Sequence, residues 1–252
     1  MSRRLEKFVQ RLMKMTPFEI HRRRPVPTLE PLQLILAIYE ARSERTNVVQ
    51  VGACDGISLD PIHDYVAKGQ SRAILIEPNP ASFARLQKTY AGVPNITLLE
   101  VALGSQDGEA HLFRSKRGVE TGQPLNPFVA SFDLQHLIRH GEKAEDIERI
   151  TVPCLTLSSL LAEFDLTKID LLQIDAEGFD AEVVRMALRL PDLPACIHFE
   201  HKHLSGADRQ PLFDSLKANN YLLGYDVYNI LAVHASFLET MRHSVAHRYS
   251  AP

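Results

Sequence analysis

The strongest constraint in the sequence is a regular alternation, from residue 47 onward, between short apolar strands and amphipathic helices. Helix start signals lie between the strands at Asp60-Pro61 and Asn79-Pro80, where a capping side chain precedes proline at the first helical position. This alternation predicts an α/β fold with a mostly parallel sheet, helices on both faces and a C-terminal antiparallel hairpin. The strand candidates are NVVQVG (47–52), RAILIE (72–77), NITLLEVAL (95–103), EAHLFR (109–114), ITVPCL (150–155), IDLLQID (169–175), ACIHFEH (195–201), YLLGYDV (221–227) and NILAVH (229–234).

The composition limits the classes of function. The chain has 252 residues, which suits one well-filled core, and its formal net charge of -3 excludes a general nucleic-acid binder. No apolar run is long enough to cross a bilayer, and Cys54, Cys154 and Cys196 lie far apart, without the spacing of a metal site. Such cysteines suit a reducing compartment, so we expect a cytoplasmic protein.

The sequence divides into an N-terminal helical extension, residues 1–45, and one domain, residues 46–252. Residues 1–24 are basic and carry apolar residues at helical spacing, which predicts an amphipathic helix. That helix could pack on its own domain, contact a second subunit of a homo-oligomer, or touch an anionic membrane surface, and the sequence leaves these readings open. Glycines and prolines at residues 115–131 predict a long binding loop.

A turn bounded by two glycines, GACDG at residues 52–56, follows the first strand at the sheet edge where parallel α/β folds bind ligands. Glycine lets the backbone approach a ligand closely, and Glu77, at the end of the second strand, can accept both hydroxyls of a ribose. The turn lacks the middle glycine of the nicotinamide dinucleotide motif, and Asp55 would repel phosphate oxygens. The pattern therefore favours S-adenosylmethionine, which carries an ammonium and a sulfonium; a tight turn without a ligand is the alternative.

Six segments between about residues 45 and 235 form a recognisable set: VVQVGACDG, AILIEPNPASFARLQ, ITLLEVALGSQDGEAHLF, ITVPCLTLSSLL, IDLLQIDAEGFDAEVV and CIHFEH. On these segments the chain resembles the FkbM-type S-adenosylmethionine-dependent methyltransferases. The resemblance implies a Rossmann-like class I methyltransferase fold and methyl transfer to hydroxyl groups of sugars or natural products. Two positions depart from the family pattern, since Ser158 stands where an acid is usual and Cys54 where a small polar residue is usual.

The resemblance also implies a cofactor site spread over the ends of several strands. The implied residues are Gly52, Ala53, Asp55 and Gly56 for the methionine part, Glu77 for the ribose, Pro78, Asn79, Ala102 and Leu103 for the adenine, and Asp175 for the methionine and the methyl group.

Acids and a histidine follow two later strands at the same predicted edge: Asp175 and Glu177 after one, Glu200 and His201 after the next. A sugar hydroxyl is a weak nucleophile, so a general base helps its methylation. Histidine changes charge near neutral pH, which makes His201 the predicted base, oriented by Asp175 or Glu200, with Glu200 and Glu177 as rivals. The acids could instead cap a helix or hold a divalent ion, although no metal-ligand spacing is visible.

The sequence therefore predicts an S-adenosylmethionine-dependent O-methyltransferase that acts on a saccharide or glycosylated natural product, in polysaccharide or natural-product biosynthesis. One alternative is a nicotinamide-dependent oxidoreductase, which the missing dinucleotide motif disfavours. The other is a non-catalytic Rossmann-like binding module, which the acids at positions 175, 177 and 200 disfavour.

Overall fold

The computed structural model describes residues 30–42, 45–116, 130–139, 141–202, 204 and 206–249. The predicted basic helix at 1–24 and most of the predicted loop at 115–131 lie outside these residues. None of the helices in the described segments combines the length and apolarity that a membrane span requires. The elements are α1 (Pro31–Arg42), β1 (Asn47–Val51), α2 (His63–Ala67), β2 (Arg72–Ile76), α3 (Pro80–Thr89), β3 (Ile96–Leu99), β4 (Ala102–Leu103), β5 (Gly108–Ser115), β6 (Ala130–Ser131), α4 (Leu134–Arg139), β7 (Ile147–Leu155), α5 (Leu157–Glu163), β8 (Leu171–Ile174), α6 (Asp180–Ala187), β9 (Cys196–Glu200), α7 (Gly206–Ala218), β10 (Tyr221–Tyr225), β11 (Asn229–His234) and α8 (Ala235–Tyr249).

The main sheet has seven strands in the order β3-β2-β1-β8-β9-β11-β10. Strand β1 pairs in parallel with β2 and β8, whereas β11 runs antiparallel to both β9 and β10. The predictions of a mostly parallel sheet and of a C-terminal antiparallel pair are confirmed. Strand order reverses between β1 and β8, so the carboxyl ends of these strands open the crevice in which α/β proteins bind ligands.

Helices cover both faces of the main sheet because successive residues of a strand point to opposite sides. Val48 of β1 belongs to a buried cluster with side chains of α1, α2, α3 and α8, whereas Val49 belongs to a cluster with side chains of α5, α6 and α7. Helix α1 falls within the N-terminal extension defined from the sequence, yet its Leu32 and Ile35 are buried in the cluster of Val48. This helix therefore packs onto the sheet as part of the core.

A second, four-stranded sheet has the order β4-β7-β5-β6. The prediction of one continuous strand at 95–103 is wrong, because only Ile96–Leu99 pairs with β2, and Ala102–Leu103 pairs with β7. The main-sheet ladder ends where the Glu77 N–H donates to the Leu99 carbonyl at 3.0 Å, and the chain then turns into the second sheet. Main and second sheets are thus joined directly at the end of β3.

Of the two predicted helix starts, one is confirmed and one is wrong. Asn79 caps α3, since its side chain accepts from the Ala81 N–H at 3.3 Å. The prediction that Asp60 caps a helix beginning at Pro61 is wrong, because α2 begins at His63 and Asp60 Oδ1 accepts from the Ile62 N–H at 2.9 Å in the turn before it.

Gly52 follows β1 directly and packs against the backbone of Asp175, the residue that follows β8. It has a φ of +78°, and a Cβ added there would stand 1.8 Å from the Asp175 carbonyl oxygen; Gly92 has a similar φ of +80° with nothing within 4 Å. We expect Gly52→Ala to lower the free energy of unfolding by about 3 kcal/mol or more, because the two strands must separate. Gly92→Ala should cost only about 1–2 kcal/mol, the penalty of the left-handed backbone alone. Urea unfolding followed by circular dichroism measures both, and equal losses would contradict the close passage.

Candidate active site

A cleft opens over the carboxyl ends of β1, β2 and β8, with about 690 Å³ of empty space that includes the solvent at its mouth. Both sheets contribute to it: the main sheet forms the floor, and β4, β5 and the segment around β6 contribute apolar side chains. The residues that line it are Val51, Gly52, Cys54, Ile76, Glu77, Pro78, Ala102, Leu103, Leu112, Ala130, Phe132, Asp175, Ala176, Glu177, Phe179 and Val183.

The glycine turn ties the end of β1 to β2. The N–H groups of Gly52 and Ala53 both donate to the Ile76 carbonyl, at 2.9 and 3.0 Å, and the Cys54 N–H donates to Glu77 Oε2 at 2.9 Å. Burial, aided by the carboxylates of Glu77 and Asp55, raises the pKa of the Cys54 thiol to about 12. Cys54 therefore stays a neutral thiol on the cleft wall, in keeping with a small filler rather than a nucleophile.

Glu77 is a buried carboxyl group held on both oxygens. Its Oε1 accepts from the Asn79 N–H at 2.8 Å, while Oε2 accepts the Cys54 N–H. Burial raises the pKa of Glu77 to about 7, against the opposing effect of these two hydrogen bonds. The group is thus fixed in place and changes its ionisation near neutral pH.

The structure brings most of the predicted cofactor residues together on the cleft wall, namely Gly52, Glu77, Pro78, Ala102, Leu103 and Asp175. The other four predicted cofactor residues lie in the turns around the cleft and do not line it. Ala53 is buried in the core, and Asn79 caps α3. Asp55 turns its carboxylate to the Ser58 N–H and hydroxyl, each at 2.7 Å, and a Cβ at Gly56 would stand 2.6 Å from the Tyr90 ring.

Among the predicted catalytic residues, Asp175 and Glu177 line the cleft. Asp175 is exposed to solvent, yet the protein atoms around its carboxyl group desolvate it and raise its pKa well above the ordinary value, with the carboxylates of Glu177, Asp180 and Glu200 adding to the effect. Asp180 is buried, which raises its pKa to about 7, and its Oδ1 accepts from the Glu200 N–H at 3.3 Å. The acids at the ends of β8 and β9 therefore form one coupled group.

His201, the predicted base, follows β9 at the same edge but is not part of the cleft wall. Its N–H donates to the Tyr228 carbonyl at 2.9 Å, which joins it to the turn before β11. Both ring nitrogens are buried and find no hydrogen-bond partner within the described residues.

A histidine that the sequence analysis did not single out contacts a residue of the cleft wall. His136, in α4, places its Nε2 2.9 Å from Glu177 Oε2 and is almost fully buried. Phe132, just before α4, lines the cleft and packs against Phe179 with ring centroids 4.6 Å apart. The segment around α4 carries no motif, so nothing in its own sequence indicated that it would meet the turn after β8.

The potential metal ligands among the described residues give no support for a bound metal ion. Within the segments that the structure describes, no group of three or more histidine, cysteine, aspartate or glutamate side chains is arranged to hold a metal ion.

The family profile of the methyltransferase FkbM domain matches residues 50–227. A search of the curated proteins finds no match. Among solved structures, a precorrin-6y C5,15-methyltransferase from Geobacter metallireducens has 12% identity and a TM-score of 0.42, covering 84% of this chain and 94% of that chain. A methyltransferase from Geobacter sulfurreducens has 12% identity and a TM-score of 0.41, covering 92% of this chain and 89% of that chain. The fibrillarin pre-rRNA processing protein of Methanococcus jannaschii has 11% identity and a TM-score of 0.40, over 75% of this chain and 65% of that one.

Because the pKa of Glu77 is raised, we expect the free energy of unfolding to depend on pH. Because its pKa rises from 4.5 to about 7 on folding, the folded protein keeps a proton that the unfolded chain releases between those values. This contribution is fully present below about pH 4.5 and is lost as the pH rises through about 7. We expect the free energy of unfolding of the wild type to fall by about 3 kcal/mol relative to Glu77→Gln over that range. Urea unfolding at about pH 5 and about pH 8 measures the difference, and a constant difference would contradict the raised pKa.

Proposed function

This chain belongs to the FkbM methyltransferase family and is an S-adenosylmethionine-dependent methyltransferase, and we propose that it methylates a hydroxyl group of a saccharide or glycosylated natural product. The observation that carries the proposal is the cleft that joins Glu77, held by two backbone amides, to the acids after β8. Family membership sets aside the nicotinamide-dependent oxidoreductase and the non-catalytic module.

The cleft residues fit the parts of the cofactor. Each carboxylate oxygen of Glu77 accepts one backbone N–H and retains a further lone pair, so the two can accept the two hydroxyls of a ribose. Ala102, Leu103 and Leu112 offer an apolar slot for the adenine, with Pro78 at its edge. Asp175 supplies an acidic group near Gly52, which suits the ammonium of the methionine part.

When bound, S-adenosylmethionine supplies an electrophilic methyl group on its sulfonium. The protein must hold an acceptor oxygen in line with that carbon, which by itself can provide much of the acceleration. It must also receive the acceptor proton, and we propose that the base comes from Asp175, Glu177, Glu200 and His201, the groups at the ends of β8 and β9. The charged residues on the described cleft wall are all acidic, which suits a neutral hydroxyl acceptor better than an anionic one.

The proposal also covers the domain organisation, the cellular compartment and the biosynthetic context of the enzyme. We propose that residues 46–252 form the methyltransferase domain and residues 1–45 an extension, of which α1 packs on the sheet. Cys54, Cys154 and Cys196 are all free, in keeping with a reducing cytoplasm. A saccharide acceptor in turn places the enzyme in polysaccharide or natural-product assembly, without a nucleic-acid partner.

Cofactor binding should depend on the ionisation of Glu77, because only the carboxylate accepts both ribose hydroxyls. With the pKa at about 7 in the free protein, we expect the affinity for the demethylated product, S-adenosylhomocysteine, to rise about tenfold between about pH 6 and about pH 8. Glu77→Gln should weaken binding at least about tenfold at the higher pH and remove most of this dependence. Titration calorimetry measures both, with Glu100→Gln as the control because Glu100 is exposed after β3 and outside the cleft. Equal affinities of the wild type and Glu77→Gln would contradict the assignment of Glu77 to the ribose.

The acceptor class is tested with a panel of neutral p-nitrophenyl glycosides and the matching uronic acids, each incubated with the protein and S-adenosylmethionine. We expect a mass increase of one methyl group on a neutral glycoside, with weaker or no transfer to the uronic acids, because the acids of the cleft repel a carboxylate. Mass spectrometry with a deuterated methyl donor measures the transfer. Methylation of amines, but of no glycoside, would contradict a saccharide hydroxyl as the acceptor.

A further inference from the structure

His136 and Glu177 form a hydrogen-bonded pair in which His136 is buried and Glu177 lines the cleft. They are 41 residues apart in sequence, and the His136 Nε2 to Glu177 Oε2 distance is 2.9 Å. The side chain of His136 is 2% exposed, whereas that of Glu177 is 30% exposed and lines the cleft. When the carboxylate is ionised it can only accept hydrogen bonds, so the histidine Nε2 is then the donor in this contact.

The backbone around Glu177 is held in a conformation that the sequence does not favour by itself. Glu177 has a φ of +47°, in the left-handed region that costs a residue with a side chain about 1–2 kcal/mol. Ser131 compensates by donating its hydroxyl to the Glu177 carbonyl at 2.9 Å. At Gly178, with a φ of +95°, an added Cβ would stand 3.1 Å from His136 Nδ1, so the histidine ring lies against the turn itself. Strained backbone that its surroundings enforce is typical of functional sites.

The orientation of the Glu177 carboxylate therefore depends on His136, which lies outside the turn that contains Glu177. Oε2 is bound to His136, and Oε1 has no hydrogen-bond partner among the described residues. Glu177 raises the pKa of Glu77, Asp175 and Asp180, so three other carboxyl groups lie close enough to repel its carboxylate. Without His136, repulsion from these acids would favour rotation of Glu177 out of the cleft.

We propose that His136 is a positioning residue that fixes Glu177 in the cleft so that Glu177 Oε1 takes the proton of the acceptor hydroxyl. This inference rests on the proposed function and deepens it by choosing among the candidate bases. In the step, the acceptor oxygen forms a bond to the methyl carbon, the carbon–sulfur bond breaks with its electron pair left on sulfur, and the hydroxyl proton passes to Oε1. Glu177 is better placed for this than His201, whose ring nitrogens are buried and which does not line the cleft.

A matched pair of substitutions tests the inference. In His136→Gln the amide nitrogen reaches about the position of Nε2 and can still donate, whereas in His136→Asn it is one methylene too short. With the p-nitrophenyl glycoside that the wild type methylates fastest, we expect His136→Asn to lower kcat about 10–100-fold and His136→Gln to recover most of it, with KM within about twofold in both. Glu177→Gln should lower kcat at least as much, and combining it with His136→Asn should add little, since the two residues act as a unit.

The control is Arg139→Gln, at the end of α4, which breaks an exposed ion pair with Asp133 without touching Glu177. It should behave as the wild type. Titration calorimetry should show the affinity for S-adenosylhomocysteine within about twofold in all variants. Equal loss of kcat in His136→Gln and His136→Asn, or a loss of kcat matched by a loss of product affinity, would overturn the positioning role in favour of packing or cofactor binding.

A measurement that needs no acceptor substrate distinguishes a failure of this inference from a failure of the proposed function. Nitrogen-15 NMR of histidine-labelled full-length protein should show the His136 Nε2 protonated, with a resonance that moves in Glu177→Gln and not in Arg139→Gln. If the wild type methylates no glycoside, the acceptor proposal fails while this readout still decides the His136–Glu177 link. An unprotonated Nε2, or a resonance indifferent to Glu177→Gln, overturns the inference. If His136→Asn does not fold, the kinetics of His136→Gln and Glu177→Gln, with this NMR readout, decide it.

Discussion

The close passage of β1 against the chain that leaves β8 fixes the site. Asp175 donates its N–H to the Val51 carbonyl at 2.9 Å, and the absence of a side chain at Gly52 leaves room for the Asp175 carbonyl. This contact brings the glycine turn and the acidic turn side by side at the one place where the strand order reverses. Glu77 is in turn anchored by the Cys54 N–H. The ribose acceptor and the acids we assign to the reacting end therefore share a rigid backbone frame.

The second sheet closes the cleft from another side. Its first strand, β4, follows directly from β3, so the wall it carries is positioned by the main sheet rather than by a flexible linker. Leu112 of β5 and Phe132 after β6 give that wall its apolar surface. The same segment carries His136 to Glu177. The main sheet thus carries the residues that we assign to the ribose and the methionine part. The second sheet carries the apolar slot that we assign to the adenine, and the segment after it carries the partner of Glu177.

The sequence was informative wherever geometry follows from periodicity. Glu77 and Asp175 end strands of a parallel sheet, and the register of such strands places their ends at one edge, so their convergence could be predicted. Asp55 and Gly56 lie inside a turn, where side-chain directions depend on backbone angles that residue types do not determine; Asp55 caps its own turn, and Gly56 faces Tyr90. His136 could not be predicted, because its contact joins α4 to the turn after β8 across 41 residues with no motif. Long-range pairings of that kind depend on topology rather than on local propensity.

The charge of the cleft connects the fold to the proposed reaction. Desolvation and repulsion between carboxylates raise the pKa of Glu77, Asp175 and Asp180. Ionising these acidic groups close together in the free protein therefore costs electrostatic free energy. A ligand with an ammonium and a sulfonium reduces that cost, whereas the neutral thioether formed by methyl transfer has lost the sulfonium charge. The same carboxylates therefore favour the methyl donor over its product. Because this preference arises from groups that the β1–β8 contact holds in place, a change that separated those strands would weaken cofactor selection and proton transfer together.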